Sequence, residues 1–223
     1  DALNVSLEEY KQSVDESYNK AQSNIAQLKQ WQKEYEELAN KTELTRDEKA
    51  RLIEIERELK TRFGETAQAI DLQNGSLETN IDLMQQLTKE EAERFITLNE
   101  RAYREAKKTL ESPYTISFQS GDHVQFENIE EAIKAMEEAV RDAVDKSNIV
   151  YNTRKRILEN LYKEYDNATD IISKYEGYEK LLQQTVDETN DSIKKNSDSL
   201  QEYRDILKQL NDTIDSVQSD LKT

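Results

Sequence analysis

From the N-terminal side, Leu7, Tyr10, Val14, Ser17, Ala21, Asn24, Leu28, Trp31, Tyr35 and Leu38 follow one another at alternating steps of three and four. That spacing keeps every member on one stripe of an α-helix, so the pattern predicts a helix packed lengthwise against another. Ser17 and Asn24 interrupt the stripe, and polar seam positions weaken a helix pair while fixing its register. Ser6 with Glu9 forms a capping box at the start. A second stripe closes the chain: Leu182, Val186, Thr189, Ile193, Asn196, Leu200, Tyr203, Leu207, Leu210, Ile214, Val217 and Leu221. At 1.5 Å per residue the second stripe is about 60 Å long and the first about 45 to 50 Å. The two lengths lead to the expectation that the ends pair antiparallel as a coiled-coil stalk. Parallel pairing between copies of the chain is the competing arrangement.

Between the stripes, breakers and caps cut the chain into shorter elements. Thr45 and Glu48 make a capping box ahead of a helix carrying Leu52, Ile55 and Leu59 on one face, which Gly64 ends. Asn74-Gly75-Ser76 is a turn signal, and Ser76 caps a short helix with Leu77, Ile81 and Met84. Thr88 with Glu91 reads as a further box that restarts the chain, and the helix after it stops before Pro113. The period then changes to two. Tyr114, Ile116 and Phe118 alternate with polar residues, Ser120-Gly121-Asp122 turns, and Val124 and Phe126 alternate again, predicting a β-hairpin. Asn128 with Glu131 caps a helix through Ile129, Ile133, Met136, Val140 and Val144, expected to run on past Tyr151 to Tyr175. Gly177 is the expected kink on the way into the final stripe.

The expectation is therefore an elongated all-α protein: an antiparallel coiled-coil stalk made by the N- and C-terminal helices, a helical head and one small β-hairpin. Its parts are an N-terminal arm at 1–40, a head at 41–144 with the hairpin near 114–127, and a long C-terminal helix and arm at 145–223. Composition agrees. Charged residues make up 35% of the 223, with four Gly and one Pro, as in long helices and coiled coils. Low hydrophobicity with a net charge of -16 also fits disorder, but the regular apolar spacing argues against it.

The acidic excess is spread along the chain and leaves no basic stripe, so neither nucleic acid nor an anionic membrane surface is an expected partner. Lys107-Lys108, Arg154-Lys155-Arg156 and Lys194-Lys195 read as solvated helix faces. No run approaches the eighteen or so apolar residues of a membrane span. Cysteine is absent, which removes disulfides and thiolate metal sites. The chain begins at Asp1 without a signal-peptide pattern, and is expected to be a piece of a longer protein.

Candidate chemistry is thin. His123 is the single histidine and falls at the hairpin tip, a poor place to bury a base. Glu8-Glu9, Glu36-Glu37, Glu90-Glu91, Glu130-Glu131 and Glu137-Glu138 are sequence neighbours, about 100° apart on a helix, and do not face each other. The charges of Arg51, Glu54, Glu56, Arg57, Glu58 and Lys60 alternate around their helix and read as a solvated, salt-bridged face. No catalytic, cofactor-binding or metal-binding residues are expected, and no cofactor. The eleven tyrosines, with Tyr10, Tyr35, Tyr165, Tyr175 and Tyr203 on or beside the stripes, read as packing residues or as a recognition surface.

The segment Glu34 to Phe95, with its "LANKTELT" break, its "DEKARLIEIERELKTRF" helix and its "NGSLETNI" loop exit, resembles part of a tail tape measure protein from a phage or prophage of Gram-positive bacteria. The resemblance implies a structural, non-enzymatic protein inside the tail, whose length sets tail length and which is expelled ahead of the genome. Protein partners, in the tail or by self-association, and a place in the virion tail would follow. The alternative is a coiled-coil interaction or receptor-binding module of a bacterial secreted or surface protein, in the bacterial cytoplasm or outside the cell. The breaks and hairpin stand in tension with a fully extended ruler.

Overall fold

The computed structural model describes residues 6–118, 121–144 and 148–220, with the side chains of 148, 192, 193, 196 and 211–220 outside the description. The protein is all-α, 83% helical, with one small antiparallel sheet. In chain order the elements are α1 (Leu7–Ala39), α2 (Arg46–Phe63), a 3-10 turn (Gly64–Ala67), α3 (Leu77–Glu111), β1 (Tyr114–Ser117), β2 (His123–Phe126), α4 (Ile129–Arg141) and α5 (Asn148–Asp220). They form two compact units, residues 1–182 and 183–223. The N-terminal arm expected at 1–40 and the head expected at 41–144 thus share one unit with the first part of α5.

Local chemistry sets most boundaries of the first unit. Ser6 and Glu9 close a reciprocal capping box on α1, and Thr45 and Glu48 do the same on α2. The Asn128 side chain accepts from the Glu131 backbone at the start of α4. Gly64 ends α2 with φ +63°, a left-handed conformation that only glycine takes without strain. The hairpin pairs Tyr114 with Phe126 and Ile116 with Val124, and Ile116 carries it onto the helices.

Three packed clusters build this unit. At one end Leu28, Trp31, Tyr35 and Leu38 of α1 meet Leu52, Ile55 and Leu59 of α2 and Met84 and Leu87 of α3. In the middle Val14, Ala21 and Ile25 of α1 meet Ala92, Phe95, Ala102 and Ala106 of α3 and Ala168, Ile171 and Tyr178 of α5. At the other end Ile116 lies with Ile129, Ile133 and Met136 of α4 and Leu161 of α5. Each fully buried aliphatic or aromatic side chain contributes about 1.5–3 kcal/mol.

Helix directions follow from the side-chain pairs. Ser17 meets Asn99, Asn24 meets Glu91 and Tyr35 meets Asn80, so α3 runs antiparallel to α1. Glu8 pairs with Lys163 and Asp15 with Lys174, while the Tyr18 and Tyr178 rings touch, so α5 runs parallel to α1. Within the first unit the antiparallel partner of α1 is therefore α3, whereas the expected stalk paired α1 with residues 182–221. Both α2 and α3 run against α1, and the turn from α4 into α5 restores the direction of α1. The face of α1 is thereby covered from within the first unit, by α3 and by residues of α5 up to Leu182.

Two further expectations change. Residues 129–175 are not one helix: α4 ends at Arg141 and α5 starts at Asn148, antiparallel to it, with Tyr162 bonded to Glu137 and Tyr165 to Glu130. Packing of Met136 and Ile133 on Leu161 folds the chain back where no Gly or Pro announces a turn. In the other direction, the restart at Thr88 and the break at Gly177 do not occur, since α3 and α5 run through them.

Candidate functional site: polar layers of the bundle and the exposed stripe of α5

The polar residues in the α1 stripe are connected inside the bundle. The Asn24 Nδ2 donates to Glu91 Oε2 at 2.8 Å, and its Oδ1 accepts from Arg62 Nε at 2.8 Å. Glu91 also accepts from Arg94 at 2.9 Å. Ser17 and Asn99 bond one layer away, and Asn99 Nδ2 reaches the Phe95 carbonyl at 2.7 Å. Asn80, 1% exposed, donates to Tyr35 Oη and to the Asp71 carbonyl and accepts from the Asp71 backbone N–H. Such layers cost little when every group is satisfied and penalise any other register, because a slipped pair leaves buried polar atoms unpaired.

A charge quartet joins α1 to the parallel α5. Lys11 and Lys174 each bridge Asp15 and Asp170. Burial pushes the Asp15 carboxyl up, but hydrogen bonds from Lys11 and Lys174 outweigh it and hold its pKa below the usual value. Burial likewise pulls Lys174 down, and its bonds to Asp15 and Asp170 leave its pKa raised. Next to the quartet an open cleft of about 390 Å³ lies between Tyr18, Ile25 and Lys29 of α1 and Lys174, Gly177 and Tyr178 of α5. Two of its lining rings, Tyr18 and Tyr178, pack with the buried Phe95: Phe95 stacks on Tyr178 with ring centroids 4.1 Å apart, and Tyr18 meets both rings edge-on. Burial pushes the Tyr178 hydroxyl up to about 12.

Of the residues expected to form the N-terminal stripe, Val14, Ala21, Leu28, Trp31 and Leu38 are buried and Leu7 is half-buried. Leu182 packs at the edge of the middle cluster and Val186 is half-buried. Leu200, Leu207 and Leu210 are 59%, 59% and 55% exposed, as are their neighbours Tyr203 and Ile206. The side chains of Ile193, Ile214 and Val217 lie outside the described residues. So the N-terminal stripe is a core, and the C-terminal one is a surface from Leu200 to Leu210. Tyr178, Glu91, Asn80 and Asn99 lie outside both sequence stripes and are bundle residues all the same. The signal that finds Glu91 and Asn99 is their spacing on α3 opposite Asn24 and Ser17, readable only once the two helices are known to pair.

His123 sits exposed on β2 with Nδ1 at 2.9 Å from the Ser117 hydroxyl, an ordinary cross-strand contact. The charges of α2 pair along and across helices, Arg51 with Glu34 and Glu54 and Lys60 with Glu56. Among the described residues no group of three or more His, Cys, Asp or Glu could hold a metal ion, and no helix is long and apolar enough to cross a membrane. Protein-family models, curated proteins and solved structures were compared with this chain, and none matches it.

Proposed function

We propose that the chain is a non-enzymatic structural and interaction segment of a phage or prophage tail tape measure protein, serving tail-length determination, tail assembly and host entry. The observation that carries this reading is the second unit, where α5 continues as unbroken helix with its apolar stripe exposed at Leu200, Tyr203, Leu207 and Leu210. Helix of that kind converts residues into length at a fixed 1.5 Å each, which is what a ruler requires. The resemblance over Glu34 to Phe95 adds support; it spans the end of α1, all of α2 and the first half of α3. Its place would then be the virion tail. The test is an in-frame deletion of four heptads, residues 189–216, in the phage that encodes the full-length protein. Tails should shorten by about 40 Å, and tails of unchanged length would remove the reading.

The second reading is a coiled-coil interaction or receptor-binding module of a bacterial secreted or surface protein. The feature that favours it is the first unit, a closed bundle with a docked hairpin rather than extended rod. Flanking sequence separates the two. A hydrophobic segment and a wall-hydrolase domain in the same reading frame among tail genes favour the ruler, and a secretion signal favours the module.

A further inference from the structure

We propose that residues 189–217 of α5 are a homotypic interface: a second copy of this chain covers the exposed stripe, parallel and in register, as a coiled coil. The proposal does not rest on the tail assignment. Its anchor is the exposure of Leu200, Tyr203, Leu207 and Leu210, which fall on successive a and d positions of a heptad with Leu200 at a. Four heptads, from Thr189 to Val217, carry the pattern, the span such pairs need.

The occupant follows from where the charges lie. Two identical helices from a chain of net charge -16 repel unless their flanks are neutral. Here the flanks are neutral. The e positions are Asn190, Ser197, Arg204 and Asn211, and the g positions are Ser192, Ser199, Ile206 and Thr213. Asp191, Asp198, Asp205 and Asp212 occupy every f position, directly away from the stripe, and the remaining charges from Asp187 to Asp215 sit at b and c. Arg204 is the one exception. In a parallel pair it faces Ser199 of the other copy, so no like charges meet at e and g. A partner chosen by charge would instead call for charged e and g positions. The apolar Ile206, 58% exposed at g, widens the same stripe.

Direction follows from the polar layers, placed by sequence position. Thr189 and Asn196 both lie at d in the first half of the stripe. In a parallel pair Asn196 meets Asn196 and Thr189 meets Thr189. In an antiparallel pair a positions layer with d positions, so Asn196 would meet Leu207 and Thr189 would meet Ile214, burying polar groups without partners.

The chain holds no cysteine, so single-cysteine variants of the full chain read the geometry directly. Leu210→Cys should form a disulfide-linked dimer on mild oxidation, whereas Asp205→Cys at an f position should not. In the antiparallel pair the two residues 210 would be about 25 Å apart and would not link. Sedimentation from about 1 to about 100 µM should show self-association that changes less than about twofold between roughly 50 and 500 mM salt, since no charges meet at the contact. Leu207→Asp should abolish it and leave the melting of the first unit unchanged. A monomer at every concentration, a Leu210→Cys chain that fails to link, or association that Leu207→Asp leaves intact would each overturn the proposal.

Discussion

Asn24 occupies a position where the heptad pattern of α1 asks for an apolar side chain, and its amide is spent on Glu91 and Arg62 instead. Glu91 is 6% exposed, so its carboxylate depends on Asn24 and Arg94 in place of water. Glu91→Ala should therefore cost about 1–3 kcal/mol in urea unfolding, through the stranded Asn24 amide and the lost charged bonds. A loss under about 0.5 kcal/mol, the range of ordinary surface changes, would show the layer to be ornamental. Acid titration probes a different pair of helices. Asp15 has a folded pKa below its ordinary value, so its contribution is complete above the unfolded pKa and is lost as pH falls through the folded one. Stability should decline as pH drops below about 4, and Asp15→Asn should flatten that part of the curve while lowering stability at neutral pH. Lys174 has the opposite sign: its raised pKa makes its contribution complete below the unfolded value and lost at alkaline pH as it deprotonates. An acid limb identical in Asp15→Asn and the parent would remove the quartet from the account.

Two Thr-x-x-Glu motifs look alike along the chain and behave differently as elements. Thr45 accepts from the Glu48 backbone, and Glu48 returns a bond to the Thr45 N–H while its carboxyl is held down to about 2, first by Lys41 and then by Thr45. Thr88 instead donates to the Met84 carbonyl one turn back, and Glu91 turns into the bundle. Thr45→Ala should cost about 1 kcal/mol, the usual loss at an N-cap. Thr88→Val, which keeps the shape and gives up a bond within the helix, should cost less; the reverse ranking in thermal melts would mean that α3 is capped there after all. A motif of four residues encodes the option of a cap, and tertiary burial decides whether it is used. That is why the boundaries at Ser6, Thr45, Ser76 and Pro113 and the hairpin were readable from local chemistry. The turn between α4 and α5 was not, because its cause is Met136 and Ile133 meeting Leu161, residues far apart in sequence.

At the scale of the whole molecule, periodicity announced two helical faces in need of cover without naming what covers them. The natural guess joined the two faces, yet α1 found α3, whose own face is disguised by Asn80, Glu91 and Asn99. Similar length was weak evidence beside the satisfied pairing of Asn24 with Glu91 and of Ser17 with Asn99. Among the described residues the first unit owns its core: the three clusters draw on residues no later than Leu182. A chain ending after residue 190, which leaves two turns beyond Leu182 to absorb fraying, should unfold cooperatively at the same temperature as the full chain within a few degrees. A difference of 1 kcal/mol would move the midpoint of a domain this size by about 2–4 °C, so the comparison is sensitive. Should the shortened chain melt much lower or lose its single transition, residues beyond 190 would be part of the bundle. The exposed stripe at Leu200, Leu207 and Leu210 would then be the outer side of a structural helix rather than a surface awaiting a partner.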